Sequence, residues 1–229
     1  MRSAMQRYDM IEEGDRVAVG VSAGKDSLAL LAALARMRNF YPKRFEITAI
    51  TIDMRFGDKD GDFTDIRGLC ESLGVEYHVR PTNLARLIFD VRKEQNPCAL
   101  CSNMRRGALN RAAKELGCNK LALGHHLDDV AETFIMNLFN NASLDCFMPV
   151  TYLDRSGITV IRPMIFARES DCARVASKLS LPVKKSVCPA DGNTEREDTK
   201  AFLSSLERKY GNVRGKILLA MQNKEINGY

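Results

Sequence analysis

Short β-rich runs alternate with helical patterns through the first 140 residues, and this alternation restricts the fold more than any other feature. Strands are expected at residues 17–21, 45–53, 76–80 and 120–124, separated by segments dense in helix formers. Strands joined by helices of this length indicate a parallel sheet, because parallel neighbours need a long crossover connection. The sequence therefore predicts an α/β fold, a Rossmann-like parallel sheet with helices on both faces.

The helical patterns are less regular in the last third of the chain. Helices are expected at residues 28–37, 62–73, 84–93, 102–116, 128–139, 169–179, 195–210 and 213–222, with one further strand at 158–161. We divide the chain into an α/β domain over residues 1–165 and a C-terminal helical appendage over residues 166–229. The appendage is expected to pack on the sheet domain.

Composition limits the class of protein. The chain is 45% hydrophobic and 28% charged, which is ordinary for a globular protein and excludes a disordered chain. It has no apolar run of 18 residues and no apolar secretory segment near its start, so we expect a cytoplasmic protein without a membrane anchor. Its net charge of +5 permits a polyanionic partner without requiring one.

Seven cysteines and no export signal indicate a reducing compartment, and an odd count is not a disulfide framework. Cys70, Cys118, Cys146 and Cys172 lie in apolar segments, and we expect them in the core as small apolar side chains.

A glycine-containing turn, Gly20-Val-Ser-Ala-Gly-Lys-Asp-Ser27, lies between the first strand and the first predicted helix. Free backbone N–H groups and the helix dipole suit a phosphate there. Gly24 allows the backbone to approach the anion, Lys25 can neutralise it, and Ser22 and Ser27 offer hydroxyl donors. The turn is not a Walker A loop, because only three residues separate its glycines and Asp26 replaces the hydroxyl residue. A purely structural strand–helix turn is the alternative.

Acidic residues follow two other predicted strands. Asp53 ends the second strand, and Gly124-His-His-Leu-Asp-Asp129 follows the fourth. The carboxyl ends of parallel strands bind ligands, and carboxylates beside a triphosphate are candidate Mg²⁺ ligands. Asp128 or Asp129 could instead serve only as a helix cap. His125 and His126 are candidates for phosphate or substrate contacts, with a core role as the alternative.

Cys98-Ala-Leu-Cys101 can bring two sulfurs to one centre, as zinc, iron–sulfur and dithiol sites all require. Cys188, before Pro189 in a predicted loop, is the natural third thiolate, although it could be an ordinary loop cysteine. Three thiolates without a fourth ligand would leave one iron of a [4Fe–4S] cluster open to sulfide or substrate sulfur. A zinc site remains an alternative.

The glycine turn resembles the Ser-Gly-Gly-x-Asp-Ser signature of PP-loop ATP pyrophosphatases, with Ala23 where that family usually has glycine. In that family the loop holds the pyrophosphate part of ATP, and the Gly-His-x-x-Asp-Asp segment lines the nucleotide site. Alanine is compatible with this position only if its φ angle is negative.

Several segments resemble the tRNA 2-thiocytidine synthetase family (TtcA) over nearly the whole chain. They are Met10-Ile-Glu-Glu-Gly-Asp-Arg16, Cys98-x-x-Cys101-Ser-x-x-Arg105-Arg-Gly107, Glu115-Leu-Gly117, Leu123-Gly-His-His126 and Ile161-Arg-Pro163. The resemblance implies an adenine-nucleotide alpha hydrolase-like sheet. It also implies adenylation of a cytidine C2 oxygen in the tRNA anticodon loop with ATP and Mg²⁺, followed by replacement of that oxygen by sulfur. A cysteine desulfurase or another sulfur donor and a homodimer are the implied partners.

The resemblance also implies roles for individual residues. A [4Fe–4S] cluster is expected on Cys98, Cys101 and Cys188, and catalytic roles fall to Lys25, Asp26 and Asp129. The nucleotide is expected on Ser22, Gly24, Lys25, Asp26, Ser27, Asp53, Gly124 and Asp128.

The RNA substrate is less strongly indicated than the ATP and cluster chemistry. Candidate basic residues are Arg105, Arg106, Arg111, Lys184, Lys185, Arg208 and Lys209, and candidate stacking residues are Phe147 and Tyr152. The alternatives are a different tRNA pyrimidine or thio-nucleobase, a zinc-containing sulfurtransferase, and a nucleotide-sensing or sulfur-carrier module without turnover.

Overall fold

The computed structural model describes residues 1–92, 97–189 and 195–229. Its centre is a six-stranded sheet in the order β3-β2-β1-β4-β6-β5. The strands are β1 (Asp15–Gly20), β2 (Phe45–Asp53), β3 (Glu76–Pro81), β4 (Lys120–Ala122), β5 (Val150–Leu153) and β6 (Ile158–Ile161). All neighbours pair in parallel except β5, which runs antiparallel to β6 at the edge.

Eight α-helices surround the sheet in the described part of the chain. They are α1 (Arg2–Arg7), α2 (Lys25–Met37), α3 (Thr64–Ser72), α4 (Pro97–Glu115), α5 (Leu127–Asn141), α6 (Glu169–Lys178), α7 (Glu195–Tyr210) and α8 (Val213–Asn223). A π-helix over Arg86–Arg92 and short 3₁₀ turns at Phe56–Asp58 and Ile226–Gly228 complete the elements. No helix among these described residues is long and apolar enough to cross a membrane.

Strand β1 is apolar on both faces because it lies between two cores. Val17 and Val19 belong to the larger core, which includes residues of α2 and α6, such as Leu30 and Cys172. Ala18, on the opposite face, packs into a second core with residues of α4. Alternate residues of a strand point to opposite faces, so helices cover both sides of the sheet.

The predicted α/β class is confirmed, and the strand over residues 45–53 has the predicted bounds. Strand β4 ends at Ala122, two residues earlier than expected. The sequence missed α1 and the antiparallel strand β5, so the sheet is mixed at one edge. Cys70, Cys118, Cys146 and Cys172 are buried as predicted.

Two helix predictions differ from the structure near the C-x-x-C segment. The helix predicted at 102–116 begins at Pro97, which places Cys98 and Cys101 in its first turns. Proline suits this first helical position because its missing N–H group would have no partner there. The helix predicted at 84–93 is the π-helix over Arg86–Arg92, and residue 93 lies outside the described residues.

The C-terminal helices pack directly on the sheet domain. Helix α6 contacts α2, while α7 and α8 contact α5. The proposed boundary at residue 165 stays a prediction. The predicted loop that follows Cys188 lies partly outside the described residues, at residues 190–192.

A buried ion pair joins the amino-terminal ends of β1 and β4. Lys120 Nζ lies 2.8 Å from Asp15 Oδ2, and both side chains are almost inaccessible. Lys120 also donates to the Met10 carbonyl oxygen at 3.1 Å. Asn119 donates to Asp15 Oδ1 at 2.7 Å, so the carboxylate has a partner on each oxygen.

We expect Lys120→Met to lower the free energy of unfolding by about 3 kcal/mol, because it leaves the Asp15 carboxylate buried without its cation. Chemical unfolding followed by circular dichroism measures this change. Lys224→Met, at an exposed lysine, is the control and should change stability by less than about 0.5 kcal/mol. Equal stability of the two variants would contradict a stabilising role for the pair.

Candidate functional site

A cavity of ≈ 550 Å³ opens at the carboxyl ends of β1 and β4. The chain leaves β1 towards β2 on one side, and β4 pairs on the other side. Open α/β sheets bind ligands in the crevice at such a reversal of strand order. The walls come from the turn after β1, the loop after β4, helix α4 and the segment after α6. They include Ser22, Asp26, Ser27, Cys98, Cys101, Arg105, Arg106, Gly124, His125, Asp129 and Cys188.

The turn after β1 is held by its two serines. The Ser27 hydroxyl accepts a hydrogen bond from the Ser22 N–H group at 3.0 Å and donates to the Gly24 carbonyl oxygen at 2.9 Å. The Ser22 hydroxyl in turn donates to Ser27 Oγ at 3.2 Å. Gly24 is the N-cap of α2, so the first N–H groups of that helix have no partner within it. These groups and the positive end of the helix form an anion site.

Ala23 contradicts the expectation of a negative φ angle. Its φ is +65°, in the left-handed region, and its side chain is buried. The left-handed conformation costs an alanine about 1–2 kcal/mol because Cβ crowds a carbonyl oxygen. The surrounding contacts therefore hold the turn in its shape although glycine is absent.

Lys25 lies beside the cavity and is not one of its wall residues. Its ammonium group contacts Glu169 Oε1 at 2.9 Å and Asp26 Oδ2 at 3.0 Å. Burial alone would lower the pKa of Lys25, but hydrogen bonds to the two carboxylates outweigh burial and raise it. Lys25 is therefore charged and already paired.

The loop after β4 lies against the start of α2. A Cβ atom on Gly124 would lie 3.2 Å from the carbonyl carbon of Asp26 and 3.2 Å from the Ser27 nitrogen. Backbone atoms cannot move aside as a flexible side chain can, so glycine is required for this approach. Asp26 and Asp129 thereby become walls of one cavity.

Asp129 lines the cavity and also caps α5. Its Oδ2 accepts the His126 N–H group at 2.9 Å, and its own N–H group donates to His126 Nδ1 at 3.3 Å. Its Oδ1 lies 3.5 Å from the Arg196 guanidinium. Burial raises the pKa of Asp129, although His126 and Arg196 oppose that change.

Asp128 and Asp53 are occupied by local partners. Asp128 Oδ2 accepts the Glu169 N–H group at 2.8 Å, and its Oδ1 lies 3.1 Å from Arg214 Nε. Asp53 accepts N–H groups from Arg55 at 3.0 Å and from Gly61 at 2.8 Å. Neither aspartate is among the described residues that line the cavity, so both hold local structure here. Their nucleotide-binding roles stay predictions.

Asp26 differs from Asp53 and Asp128 in the partners of its carboxylate oxygens. Its Oδ1 atom is buried and has no hydrogen-bond partner among the described residues. A buried carboxylate oxygen without a donor is costly unless a cation or a donor arrives. Asp26 and Asp129 are therefore the carboxylates that best fit a bound Mg²⁺, which prefers oxygen ligands and retains water.

His125 contributes a neutral imidazole to the wall. Burial, followed by the charges of Arg162 and Arg196, lowers the pKa of His125 to about 3. Its ring packs on Phe147 at 4.8 Å, and its buried Nδ1 has no hydrogen-bond partner in the described chain. Phe147 also carries Arg162 on its ring, so this candidate stacking residue is already covered. Tyr152 is 62% exposed on β5.

All three candidate cysteine ligands line the same cavity. Cys98 and Cys101 are three residues apart on α4, so they share a helix face. Burial raises the pKa of Cys101, and nearby Cys188 and Cys98 add to this effect while Arg105 opposes it. A metal centre bound here would favour the thiolate form of Cys101, because a nearby metal lowers the pKa of a thiol.

Within residues 1–92, 97–189 and 195–229, no three His, Cys, Asp or Glu side chains are arranged to hold one metal ion. A structural zinc ion takes four protein ligands, whereas three thiols line this cavity. A [4Fe–4S] cluster on three thiolates leaves one iron without a protein ligand. The donor set therefore fits a cluster better than a single zinc ion.

A main-chain hydrogen bond attaches the Cys188 segment to the turn after β1. The Lys184 N–H group donates to the Ala23 carbonyl oxygen at 3.0 Å. The Lys184 ammonium binds the Asp62 carbonyl oxygen and lies 3.8 Å from Asp65 Oδ2. This attachment brings Cys188 to the cavity although it is far from Cys98 in sequence.

Some of the predicted basic residues are exposed, and others contact neighbouring side chains. Arg105 and Arg106 are exposed on α4 and line the cavity, and Arg111 is exposed further along that helix. Lys184 is paired as described, and Lys209 lies over the ring of Tyr210. Sequence analysis missed Glu169, Arg196 and Lys200, because no local motif marks them.

Comparisons with known proteins agree with this geometry. Residues 2–197 match the PP-loop domain family. The tRNA-cytidine(32) 2-sulfurtransferase of Pelobacter propionicus is 38% identical over 223 residues, covering 96% of this chain and 82% of that protein. The enzyme of the same name from Syntrophotalea carbinolica is 38% identical over 224 residues, covering 96% and 85%.

A solved structure resembles this fold. The U34-tRNA thiolase NcsA from Methanococcus maripaludis, solved with its [4Fe-4S] cluster, superposes with a TM-score of 0.75. It is 24% identical in sequence, and the match covers 97% of this chain and 76% of that one. The match supports the α/β architecture described above.

The left-handed conformation of Ala23 can be tested against a matched alanine. Ala23 and Ala32 are both 7% exposed, so Ala23→Gly and Ala32→Gly remove similar buried methyl groups. Ala32 is inside α2, where glycine costs about 1 kcal/mol beyond the methyl loss. Ala23→Gly avoids that helix cost and relieves the left-handed strain, so we expect it to be more stable than Ala32→Gly by about 2–3 kcal/mol.

Thermal and urea unfolding of the two variants measure this difference. A difference of about 1 kcal/mol or less, which the helix cost at Ala32 explains alone, would show that Ala23 is not strained.

Proposed function

This chain belongs to the PP-loop domain family and, within it, to the tRNA-cytidine(32) 2-sulfurtransferases, and from that membership we propose that it converts cytidine 32 of tRNA to 2-thiocytidine. The chain is an ATP-dependent tRNA thiolation enzyme. The observation that carries the proposal is that several residues of the PP-loop (Gly20–Ser27), Asp129 and the three cysteines line one cavity. Activation of the base and delivery of sulfur can then occur without release of an intermediate.

The first half of the proposed reaction is adenylation. The cytidine C2 oxygen attacks the α-phosphorus of ATP, the bond to the β-phosphate oxygen breaks, and pyrophosphate leaves. The free N–H groups at the start of α2 would bind the phosphates, and Asp26 and Asp129 would hold Mg²⁺. These groups stabilise the charge that develops on pyrophosphate. The C2 oxygen becomes part of AMP, a far better leaving group than oxide.

The second half replaces that oxygen. Cys98, Cys101 and Cys188 would hold a [4Fe–4S] cluster, which supplies an iron without a protein ligand where sulfur can bind. Sulfur forms a bond to C2, and the C2–O bond breaks as AMP leaves. Arg105 and Arg106, exposed at the cavity, would contact the RNA backbone. Neutral His125 in the wall can hydrogen-bond the base without adding charge.

The remaining parts of the proposal concern partners and place. The sulfur reaches the site as sulfide, from a cysteine desulfurase whose persulfide sulfur is reduced by a thiol reductant, or from another donor of sulfide. Free thiols that must bind a cluster are suited to the reducing cytoplasm. The active form is a homodimer, as the family resemblance implies.

We expect Cys98→Ala, Cys101→Ala and Cys188→Ala each to lose the cluster and tRNA thiolation. Anaerobic purification, iron and sulfide determination and the visible spectrum measure the cluster. Cys118→Ala is the matched control, since Cys118 is buried in the second core, away from the cavity, and it should retain iron. Wild-type iron content in Cys188→Ala would remove that residue from the ligand set.

We expect Asp26→Asn to reduce AMP formation in the presence of tRNA by about 100-fold or more, because it removes the charge of a carboxylate proposed to hold Mg²⁺ at the phosphates. Iron content should not change, since Asp26 is not a thiolate ligand. Asp154→Asn, at an exposed aspartate, is the control and should behave as wild type. Undiminished AMP formation in Asp26→Asn would contradict the assignment of the loop.

A further inference from the structure

The PP-loop lysine does not point freely into the nucleotide cavity. Its ammonium group is bound by Asp26, its neighbour in the loop, and by Glu169, the first residue of α6. A phosphate group that needs this charge must therefore compete with a carboxylate from another part of the chain. The Lys25–Glu169 contact, at 2.9 Å, is the more informative of the two because it joins separate elements.

Glu169 has a second cation of its own. Lys200, on α7, lies 2.8 Å from Glu169 Oε2 and 3.0 Å from Oε1, the oxygen that Lys25 also contacts. The Glu169 N–H group donates to Asp128 at 2.8 Å, which fixes the start of α6. Hydrogen bonds from Lys200 and Lys25 outweigh burial and lower the pKa of Glu169 to about 2, so this carboxylate is charged.

The pairing of one carboxylate with two ammonium groups has a physical consequence. Removing the only partner of a partly buried charge is costly. Because Lys200 stays, Glu169 remains paired when Lys25 turns towards a phosphate. Lys25 can thus be exchanged between Glu169 and the nucleotide at low cost.

We propose that Glu169 is a positioning residue for Lys25: it holds the ammonium group beside the cavity until the triphosphate arrives, and Lys200 makes this hold reversible. The inference rests on the assignment of the cavity to ATP. It predicts opposite changes in ATP affinity when the charge of Glu169 and the charge of Lys200 are removed. Loss of the Glu169 charge frees Lys25 for phosphate, whereas loss of the Lys200 charge leaves Glu169 with Lys25 alone and tightens the hold.

The test is binding of a non-hydrolysable ATP analogue with Mg²⁺ to the full-length protein, measured by calorimetry. We expect Glu169→Gln to bind about two- to fivefold more tightly than wild type and Lys200→Met to bind more weakly by a similar factor. Lys200→Arg, which keeps the charge, should restore wild-type affinity. Loss of a purely structural contact would weaken binding in both variants.

A change in the net charge of the protein could also shift the affinity of the two variants in opposite directions. Two controls separate that effect from the contact with Lys25. Asp198→Asn removes one negative charge from an exposed position on α7 and should leave affinity unchanged. In a Lys25→Met background, Glu169→Gln should have no effect, because the two substitutions act through one contact.

Each result supports or contradicts the proposal. Weaker or unchanged binding in Glu169→Gln, or an effect of Glu169→Gln that persists without Lys25, would overturn the proposal. The ATP assignment would remain intact in that case, provided that the wild-type protein binds the analogue. A wild-type protein that does not bind the analogue would overturn the ATP assignment and this inference with it.

Discussion

The pairing of β1 with β4 is the constraint on which the site depends. Their parallel register brings the turn after β1 and the loop after β4 to the same edge of the sheet. Gly124 then allows the second loop to approach the backbone at Asp26 and Ser27. Neither loop could form the proposed phosphate and magnesium site alone, because the free N–H groups belong to one and the carboxylate of Asp129 to the other.

Charged side chains attach the C-terminal helices to this edge. Arg214 contacts Asp128 and Glu207, and Arg196 of α7 contacts Glu132 and Asp129. Helix α7 begins seven residues after Cys188, so its position limits where that cysteine can lie. The Arg196 charge that fixes α7 is thus next to Asp129, one of the two carboxylates proposed for magnesium.

Sequence patterns predicted the elements whose burial is local and missed contacts between distant segments. The apolar run at β2 was sufficient to predict that strand, and the helix formers of α2 were sufficient to predict that helix. Both elements are buried, and burial requires apolar residues in them. Strand β5 is only four residues long and alternates weakly, so only its pairing with β6 defines it. The left-handed Ala23 and the partners of Asp53 were equally invisible, since the surrounding fold imposes them.

The residue types of the candidate site could be predicted from their chemistry, but the contacts between them could not. Three cysteines without a fourth ligand suggested one centre, and the fold brings all three to one cavity. Their ligand roles stay predictions. The contacts of Glu169 with Lys25 and Lys200 could not have been predicted, because they join residues 25, 169 and 200 without any motif.

The most direct measurement is single-turnover thiolation of unmodified tRNA by the anaerobically purified protein, with Mg²⁺, labelled ATP and sulfide. Nucleoside mass spectrometry and AMP determination would follow the products together. A shared cavity predicts 2-thiocytidine at position 32, with one AMP formed for each sulfur inserted. Sulfur insertion without ATP, AMP formation without sulfur insertion, or a thiolated uridine as the product would contradict it.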